Sequence, residues 1–298
     1  MNHRVLELVE KMLCVIPDKT YIALKYRYKT GKSLKWNNIK TFNEKLQWLK
    51  VNDRNPENIK MVDKVLAKEY VGKIIGEEFI IPSIGVWNNC DEINYDELPN
   101  KFVIKTNNDS GGVFICRDKA HFDWDKIKIE LNGRLNNNYF YYGREWPYKK
   151  IKPQILVEKL LENNELTDES PNISDYKFMV FNGKVKCIFV CTERGSKDGL
   201  KVTFFDPDWN ELPFERHYKK SKVKIKRPQQ LDEMIEISEK IAYGKPFERI
   251  DLYEVNGKIF FGEITLYPGS GFEEFRPDRW DEILGEWLEL PQLSNCCK

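Results

Sequence analysis

Apolar residues recur every three or four positions over residues 5–16, which predicts a helix stopped by Pro17. A second helix is expected in TFNEKLQWLKVND, where Thr41 and Glu44 have capping-box spacing. A third, NIKMVDKVLAKEYVGKIIG, sets Ile59, Val62, Leu66 and Tyr70 on one face and ends near Gly72. FIIPSIGVW then reads as a short buried strand or loop. KFVIK (101–105) and VFICRD read as strands joined by the glycine-rich turn TNNDSGG. A polar helix over about 123–137 leads into the aromatic cluster YFYYGREWPY. QILVEKLL is an apolar strand running into a loop, and DYKFMVFNGKVKCIFVCTER is a hairpin around Asn182-Gly183. QLDEMIEISEKIAYG is a helix with Leu231, Met234, Ile235, Ser238 and Ile241 along one side and Gly244 as its stop. RIDLYEVNGKIFFGEITL is a closing hairpin. The order of elements describes an α+β chain with antiparallel sheets.

Composition narrows this picture. A chain of 298 residues can bury one sizeable core or a few packed lobes, and 41% hydrophobic content supports folding. Net charge is +1, so no global attraction to nucleic acid exists and none is expected as a partner. Locally the balance differs: Lys19–Lys40 and RHYKKSKVKIKR (216–227) each hold seven basic and no acidic residues. Solvated faces are the plain reading, and platforms for an anionic substrate or an acidic membrane surface the sharper one. Seven cysteines without a CxxC pair read as reduced thiols. The N-terminal stretch lacks a signal-peptide core and no run approaches a membrane span, so a soluble, cytoplasmic protein is expected.

Several motifs fail. TGKS at 30–33 lacks the first glycine of a phosphate loop, which falls on Tyr26. His3, His121 and His217 stand in no metal-ligand spacing. Asp206-Pro-Asp208 reads as a turn, or as the metal-holding Asp-x-Asp of a glycosyltransferase.

Three stretches carry more. In the closing hairpin, the loop decides which of Arg249, Asp251, Glu263 and Thr265 share a face. A two-residue Asn256-Gly257 turn sends Asp251 and Glu263 to opposite faces, whereas a three-residue loop ending at Gly257 puts all four together, with Arg249 opposite Glu263. Two carboxylates without His or Cys would make a hard oxygen site suited to Mg²⁺; an ordinary Arg–Glu pair is the plain alternative. Lys105 ends a strand just before a loop that can turn backbone N–H groups inward, a phosphate cradle or a simple turn. Glu158 ends a strand whose following backbone could meet an adenine edge.

VDKVLAKEYV, FVIKTNNDSGG, ILVEKLL and RID…GEITLYPGSG, in that order, look like an ATP-grasp ligase. From TFNEKLQWLK to LYPGSGF the chain resembles the TupA-like ATP-grasp family of cell-surface polysaccharide synthesis. The resemblance implies an ATP-grasp fold, two α+β lobes closing on ATP, with a helical, basic N-terminal extension. The expected boundaries are 1–55 for the extension, 56–160 for the first lobes and 161–298 for the metal-site lobe. It implies that Lys64 and Lys105 approach the phosphates, that Asp109, Ser110, Gly111 and Gly112 cover them, and that Lys177 is a further phosphate candidate. It also implies that Glu158 takes the adenine amino group while Lys159 and Leu161 offer backbone. Asp251 and Glu263 would ligate Mg²⁺, with Arg249 beside the transferring phosphoryl and Thr265 where most members place Asn. The turn Pro268-Gly269-Ser270-Gly271 would present N–H groups to an acyl phosphate, and Arg144 would pair a substrate carboxylate. The implied activity joins an amine to a uronic acid of a nucleotide sugar, lipid-linked glycan or polymer, at the inner face of the membrane. A metal-dependent glycosyltransferase and a non-catalytic ATP-grasp relative are the alternatives.

Overall fold

The computed structural model describes residues 15–162, 173–193 and 199–292, so most of the helix expected over 5–16 lies outside the described residues. The first described helix, α1 (Asp18–Thr30), ends at Gly31 with φ 72°. α2 (Phe42–Asn52) begins with the expected capping box: Glu44 N–H donates to Thr41 Oγ1 (3.3 Å) and Thr41 N–H to Glu44 Oε2 (3.1 Å).

The single helix expected after it is broken in two. Asp63 Oδ1 accepts the N–H groups of Val65 (2.9 Å) and Leu66 (3.3 Å), offering the backbone a partner other than the preceding turn. α3 (Glu57–Val62) therefore stops, and α4 (Leu66–Ile75) starts afresh. Lys64 sits in the break.

A four-stranded antiparallel sheet follows, with β1 (Ser83–Trp87), β2 (Phe102–Thr106), β3 (Val113–Cys116) and β4 (Ile155–Lys159) in the order β1-β4-β2-β3. β1 is an edge strand with half-exposed or exposed residues, not the buried stretch its apolar content suggested. α5 (Trp124–Leu135) closes one face, and Phe102, Ile104, Leu131, Ile155 and Val157 form the core between. A short helix, α6 (Phe140–Gly143), continues the aromatic cluster.

The larger sheet uses β5 (Asp175–Phe181), β6 (Lys184–Thr192), β7 (Lys201–Phe205), β9 (Phe247–Val255) and β10 (Lys258–Thr265), ordered β10-β9-β5-β6-β7. The expected Asn182-Gly183 turn joins β5 and β6, both residues at positive φ as such a tight hairpin requires. β8 (Glu215–Arg216) pairs with β11 (Phe275–Arg276) as a separate ribbon. α7 (Leu231–Ile241) buries Leu231, Met234, Ile237, Ser238 and Ile241; Ile237 takes the place expected of Ile235, which is half-buried. α2 packs on α8 (Arg279–Trp287), and Phe42, Leu46 and Leu49 join the larger sheet's core. A bridge from Ile80 to Phe261 ties the chain before β1 to this sheet, so the two sheets meet near β10. Among the described residues no helix is long and apolar enough to cross a membrane.

Candidate active site

The closing hairpin reaches the expected constellation by another route. Its turn is the two-residue one, with Val255 opposite Lys258 and both Asn256 (φ 50°) and Gly257 (φ 71°) left-handed. That turn alone would place Asp251 and Glu263 on opposite faces. A bulge at Gly262 adds one residue to β10 and restores the parity, so Glu263 stands opposite Asp251 and Thr265 opposite Arg249. The expected three-residue loop and the Arg249–Glu263 pairing in register are thus both corrected.

Around this ladder the charges interlock. Arg249 donates Nε to Asp251 Oδ1 (2.6 Å), and Nη2 to both Asp251 Oδ2 (2.7 Å) and Glu263 Oε1 (2.6 Å). Lys177, on β5 opposite Asp251, pairs with Asp251 and with Asp175 (2.5 Å). Burial opposes Lys177's charge, but Asp251 and Asp175 outweigh it and raise its pKa. Burial pushes the Asp251 carboxyl up to about 6 against the pull of Arg249 and Lys177. Partial burial would also raise Glu263, yet Arg249, Lys177, Lys64 and Lys105 hold it well below the usual carboxylate range. That set of cations comes from both sheets.

The smaller sheet's side begins with Lys64. The helix break turns it inward, where Nζ donates to the carbonyls of Thr106 (3.1 Å) and Asp109. Burial lowers its pKa, and Glu263 and Asp109 compensate only in part. Glu158, expected at an adenine edge, accepts from two lysines instead: Lys105 at 2.5 Å and Lys68, whose Nζ also reaches the Ile81 carbonyl (2.5 Å). Burial disfavours the Glu158 charge, but the two lysines overcome it and lower its pKa. Sequence reasoning does not single out Lys68, whose one signal is its i, i+4 spacing from Lys64. Lys159 is exposed and its N–H donates to the Pro82 carbonyl (3.0 Å), so that amide is committed; Leu161 follows at the strand end, half-buried.

The loop after β2 is scaffolded from within. Asp109, expected over the phosphates, accepts from Thr106 Oγ1 (2.6 Å) and Arg134 (2.7 Å) and acts as an internal anchor. Asn107 bonds Asp63 (3.0 Å) and Lys152 O (3.0 Å), fastening the loop to the helix break. A Cβ on Gly112 would come within 2.7 Å of Thr106 Oγ1 and 2.8 Å of Asp109 Oδ1. Ser110 and Gly111 are exposed, and Ser110 joins Lys64, Arg249, Glu263 and Thr265 in lining one cleft.

Gly269 lines the same cleft, but the turn around it differs from expectation. Gly269, Ser270 and Gly271 are all left-handed, with φ between 53° and 64°. The Ser270 N–H donates to Tyr267 O (2.8 Å) and is not open to a ligand. The turn's carbonyls face α2: Lys50 Nζ donates to Ser270 O (2.7 Å), Ser270 Oγ (2.9 Å) and Gly143 O (2.9 Å), and Gln47 Nε2 to Ser270 O (3.1 Å) and Gly271 O (2.6 Å). Arg144 does not line this cleft. It is buried over the Tyr21 ring at 4.3 Å, with Asp18 at 3.6 Å, and binds the aromatic cluster to α1.

The residues expected to hold magnesium fit it unequally. Glu263 keeps 41% of its side chain exposed, and Thr265 Oγ1 lies 3.4 Å from its Oε1. Asp251 is 2% exposed and already accepts from Arg249 and Lys177, so here it orients those cations. Among the described residues no group of three or more His, Cys, Asp or Glu side chains is placed to hold a metal. The Asp206-Pro-Asp208 segment is a turn: Asn210 donates its N–H (2.8 Å) and its Nδ2 (3.0 Å) to the two Asp206 carboxylate oxygens.

No curated protein matches the chain. Among solved structures, D-alanine–D-alanine ligase from Bacillus anthracis complexed with ATP is 17% identical with a TM-score of 0.44, covering 76% of this chain and 64% of that one. The chain therefore spans under two thirds of that ligase's length. The ATP-grasp ligase PsnB complexed with a minimal precursor is 9% identical (TM-score 0.39, 72% and 54% covered). The biotin carboxylase domain of Hydrogenobacter thermophilus 2-oxoglutarate carboxylase, with MgADP, ADP and bicarbonate, is 17% identical (TM-score 0.41, 69% and 40% covered). The model of TupA-like ATP-grasp proteins matches residues 44–289, nearly the whole span from α2 to the end of α8. The chain belongs to the TupA-like ATP-grasp family.

Proposed function

We propose that the protein is an ATP-dependent carboxylate–amine ligase. The observation that carries this reading is one cleft lined by Lys64, from the smaller sheet's side, and by Arg249, Glu263 and Thr265 of the larger sheet, with Arg249 donating to Glu263 at 2.6 Å and Lys105 and Lys177 adding to the positive field on Glu263. Buried cations brought together in this way suit a polyphosphate, whose charge takes the place of the carboxylates that now hold them.

In this reading Lys64, Lys105 and Lys177 take phosphate oxygens, Lys105 turning from Glu158 to the nucleotide. Arg249, its fork fixed by Asp251, points its outer amino group along the transferring phosphoryl. Glu263, with Thr265, would hold Mg²⁺, which when bound supplies neutralisation of phosphate charge. A substrate carboxylate oxygen bonds to the γ-phosphorus as the bond to the ADP oxygen breaks. The amine, once its ammonium form has given up one proton, bonds through nitrogen to the acyl carbon, the carbon–oxygen bond to phosphate breaks, and the nitrogen loses a second proton. The lobes, divided near residue 160 and preceded by the helical lead-in to about 55, keep water from the acyl phosphate.

For the acid we propose a uronic acid of a nucleotide sugar, lipid-linked glycan or polymer. Exposed Lys219, Lys222, Lys224 and Lys226 support an anionic saccharide or a peripheral position at the inner face of the membrane. The glycosyltransferase alternative loses its support because Asp206 is spent within its own turn.

A thermal-shift comparison tests the reading. Mg·ATP should stabilise the wild type and do so less for Glu263→Gln, and uronic acid–amine mixtures should then release ADP. ATP affinity without ADP release over a broad panel would favour a non-catalytic relative. Stabilisation only by UDP-sugars with Mn²⁺, indifferent to Glu263, would overturn both.

A further inference from the structure

Among the described residues, Asp109, Glu145 and Glu263 are the carboxylates that line the cleft. Asp109 accepts from Thr106 and Arg134, and Glu263 from Arg249. Glu145 is different. It is 3% exposed, and among the described residues its Oε1 has no hydrogen-bond partner. The Ser270 hydroxyl, which accepts from Lys50 Nζ (2.9 Å), lies near and favours the charged carboxylate. Burial lowers the Lys50 pKa to about 7 and raises that of Glu145, and the charge of each opposes the other's shift.

A buried carboxylate oxygen left without a donor is costly, and native proteins retain one chiefly where something else supplies the donor. Here the surroundings favour a cation. Tyr139 and Tyr148 also line the cleft, their ring centroids 4.9 Å apart, and both feel the Glu145 charge. Aromatic walls beside a carboxylate make a receptor for an ammonium group. Gly143 makes room for the Ser270 side chain beside this carboxylate: a Cβ there would lie 1.9 Å from Ser270 Oγ and 3.2 Å from Glu145 Oε1. An anionic carboxylate or phosphate would be repelled at this end of the cleft.

We propose that Glu145 Oε1 is the receptor for the amine substrate, taken as its protonated ammonium beside the packed Tyr139–Tyr148 pair, with Lys50 and Ser270 next to the carboxylate. The proposal rests on the ligase reading, since it needs an amine to bind. It makes Glu145 a specificity-determining residue that selects a charged primary amine over a neutral nucleophile of the same shape.

Thermal shift in saturating Mg·ATP provides the test. The probes are the standard amino acids, ethanolamine and putrescine, each beside its hydroxyl isostere, for example alanine beside lactate and ethanolamine beside ethylene glycol. At least one amine should stabilise the wild type while its isostere does not. That amine should bind at least tenfold more weakly to Glu145→Gln, which keeps the shape but loses the charge; Glu145→Asp should retain part of the binding. The shift from Mg·ATP alone should be the same in wild type and Glu145→Gln. Equal amine binding by Glu145→Gln, or no amine response in a wild type that responds to Mg·ATP, overturns the proposal and leaves the ligase reading standing. Absence of the Mg·ATP shift itself overturns the ligase reading, and this subsite with it. If Glu145→Gln fails to fold, the amine–hydroxyl comparison in the wild type decides: equal responses overturn the subsite.

Discussion

Glu263 stands opposite Asp251 across the β9–β10 ladder because Gly262 adds one residue to β10. Without that bulge the tight Asn256-Gly257 turn would send Glu263 to the far face, away from Arg249. The bulge also admits little there: a Cβ on Gly262 would lie 2.9 Å from the Tyr253 ring and 3.0 Å from the Asp251 carbonyl. Gly262→Val should therefore cost about 1–3 kcal/mol of stability, read as a lower midpoint in urea unfolding. It should also abolish the stabilisation by Mg·ATP. A variant that keeps that stabilisation would show that Glu263's position does not depend on the bulge.

The parts of the fold written in local chemistry were readable in advance. The Thr41 capping box, the Asn182-Gly183 hairpin, the strand–glycine loop–strand around Lys105 and the α7 stripe depend on near neighbours, and they stand in the structure largely as the residues suggest. What was not readable depends on distant partners. Asp63 breaks a strongly amphipathic helix, and its capping oxygen also holds Asn107, a contact that forms only when the loop after β2 arrives. Asn43, Gln47 and Lys50 lie among the buried residues of α2, where a single chain gives no hint that turn 268–271 will meet them. The hairpin constellation was reached through the wrong loop, because two parity errors, turn length and bulge, cancel.

Glu248 predicts a pH dependence. It is buried on β9, neither carboxylate oxygen has a hydrogen-bond partner among the described residues, and burial raises its pKa to about 8, with Asp53 and Glu57 adding to the effect and Lys245 opposing it. Below its ordinary value of 4.5 the group is protonated both folded and unfolded, so it favours neither state. Between that value and about 8 the unfolded chain releases a proton that the folded chain keeps, so stability falls as pH rises. Glu248→Gln should remove this slope and stabilise by on the order of 3 kcal/mol at pH 7, with little difference from wild type at pH 4. Melting curves across that range check it, and parallel curves would mean that Glu248 finds a partner when folded.

Lys68 and Lys105 share Glu158, one on each carboxylate oxygen. Removing Lys68 leaves Lys105 as the sole partner of a buried carboxylate and ties it more firmly away from the phosphates. Lys68→Met should weaken Mg·ATP binding roughly tenfold, about 1.4 kcal/mol, by calorimetry. Lys159→Ala, at an exposed position on the same strand, should leave the affinity unchanged. Equal losses in both would mean that the effect is one of general charge and not of the Glu158 pairing.

The turn at 269–271 holds three left-handed residues in a row, and Ser270 among them has a side chain that disfavours that conformation. Lys50 and Gln47 offset the strain by donating to the Ser270 carbonyl from one side of α2. Lys50→Met keeps the length of the side chain but leaves Gly143 O without the donor it has now and Ser270 O with Gln47 alone. The loss should be about 2–4 kcal/mol, a buried carbonyl unpaired together with Glu145 left without its balancing charge. Lys50→Met with Glu145→Gln should recover part of it, because the second change removes the unbalanced carboxylate. Strict additivity of the two losses would show that Lys50 acts on the turn alone and that the charge of Glu145 is balanced elsewhere.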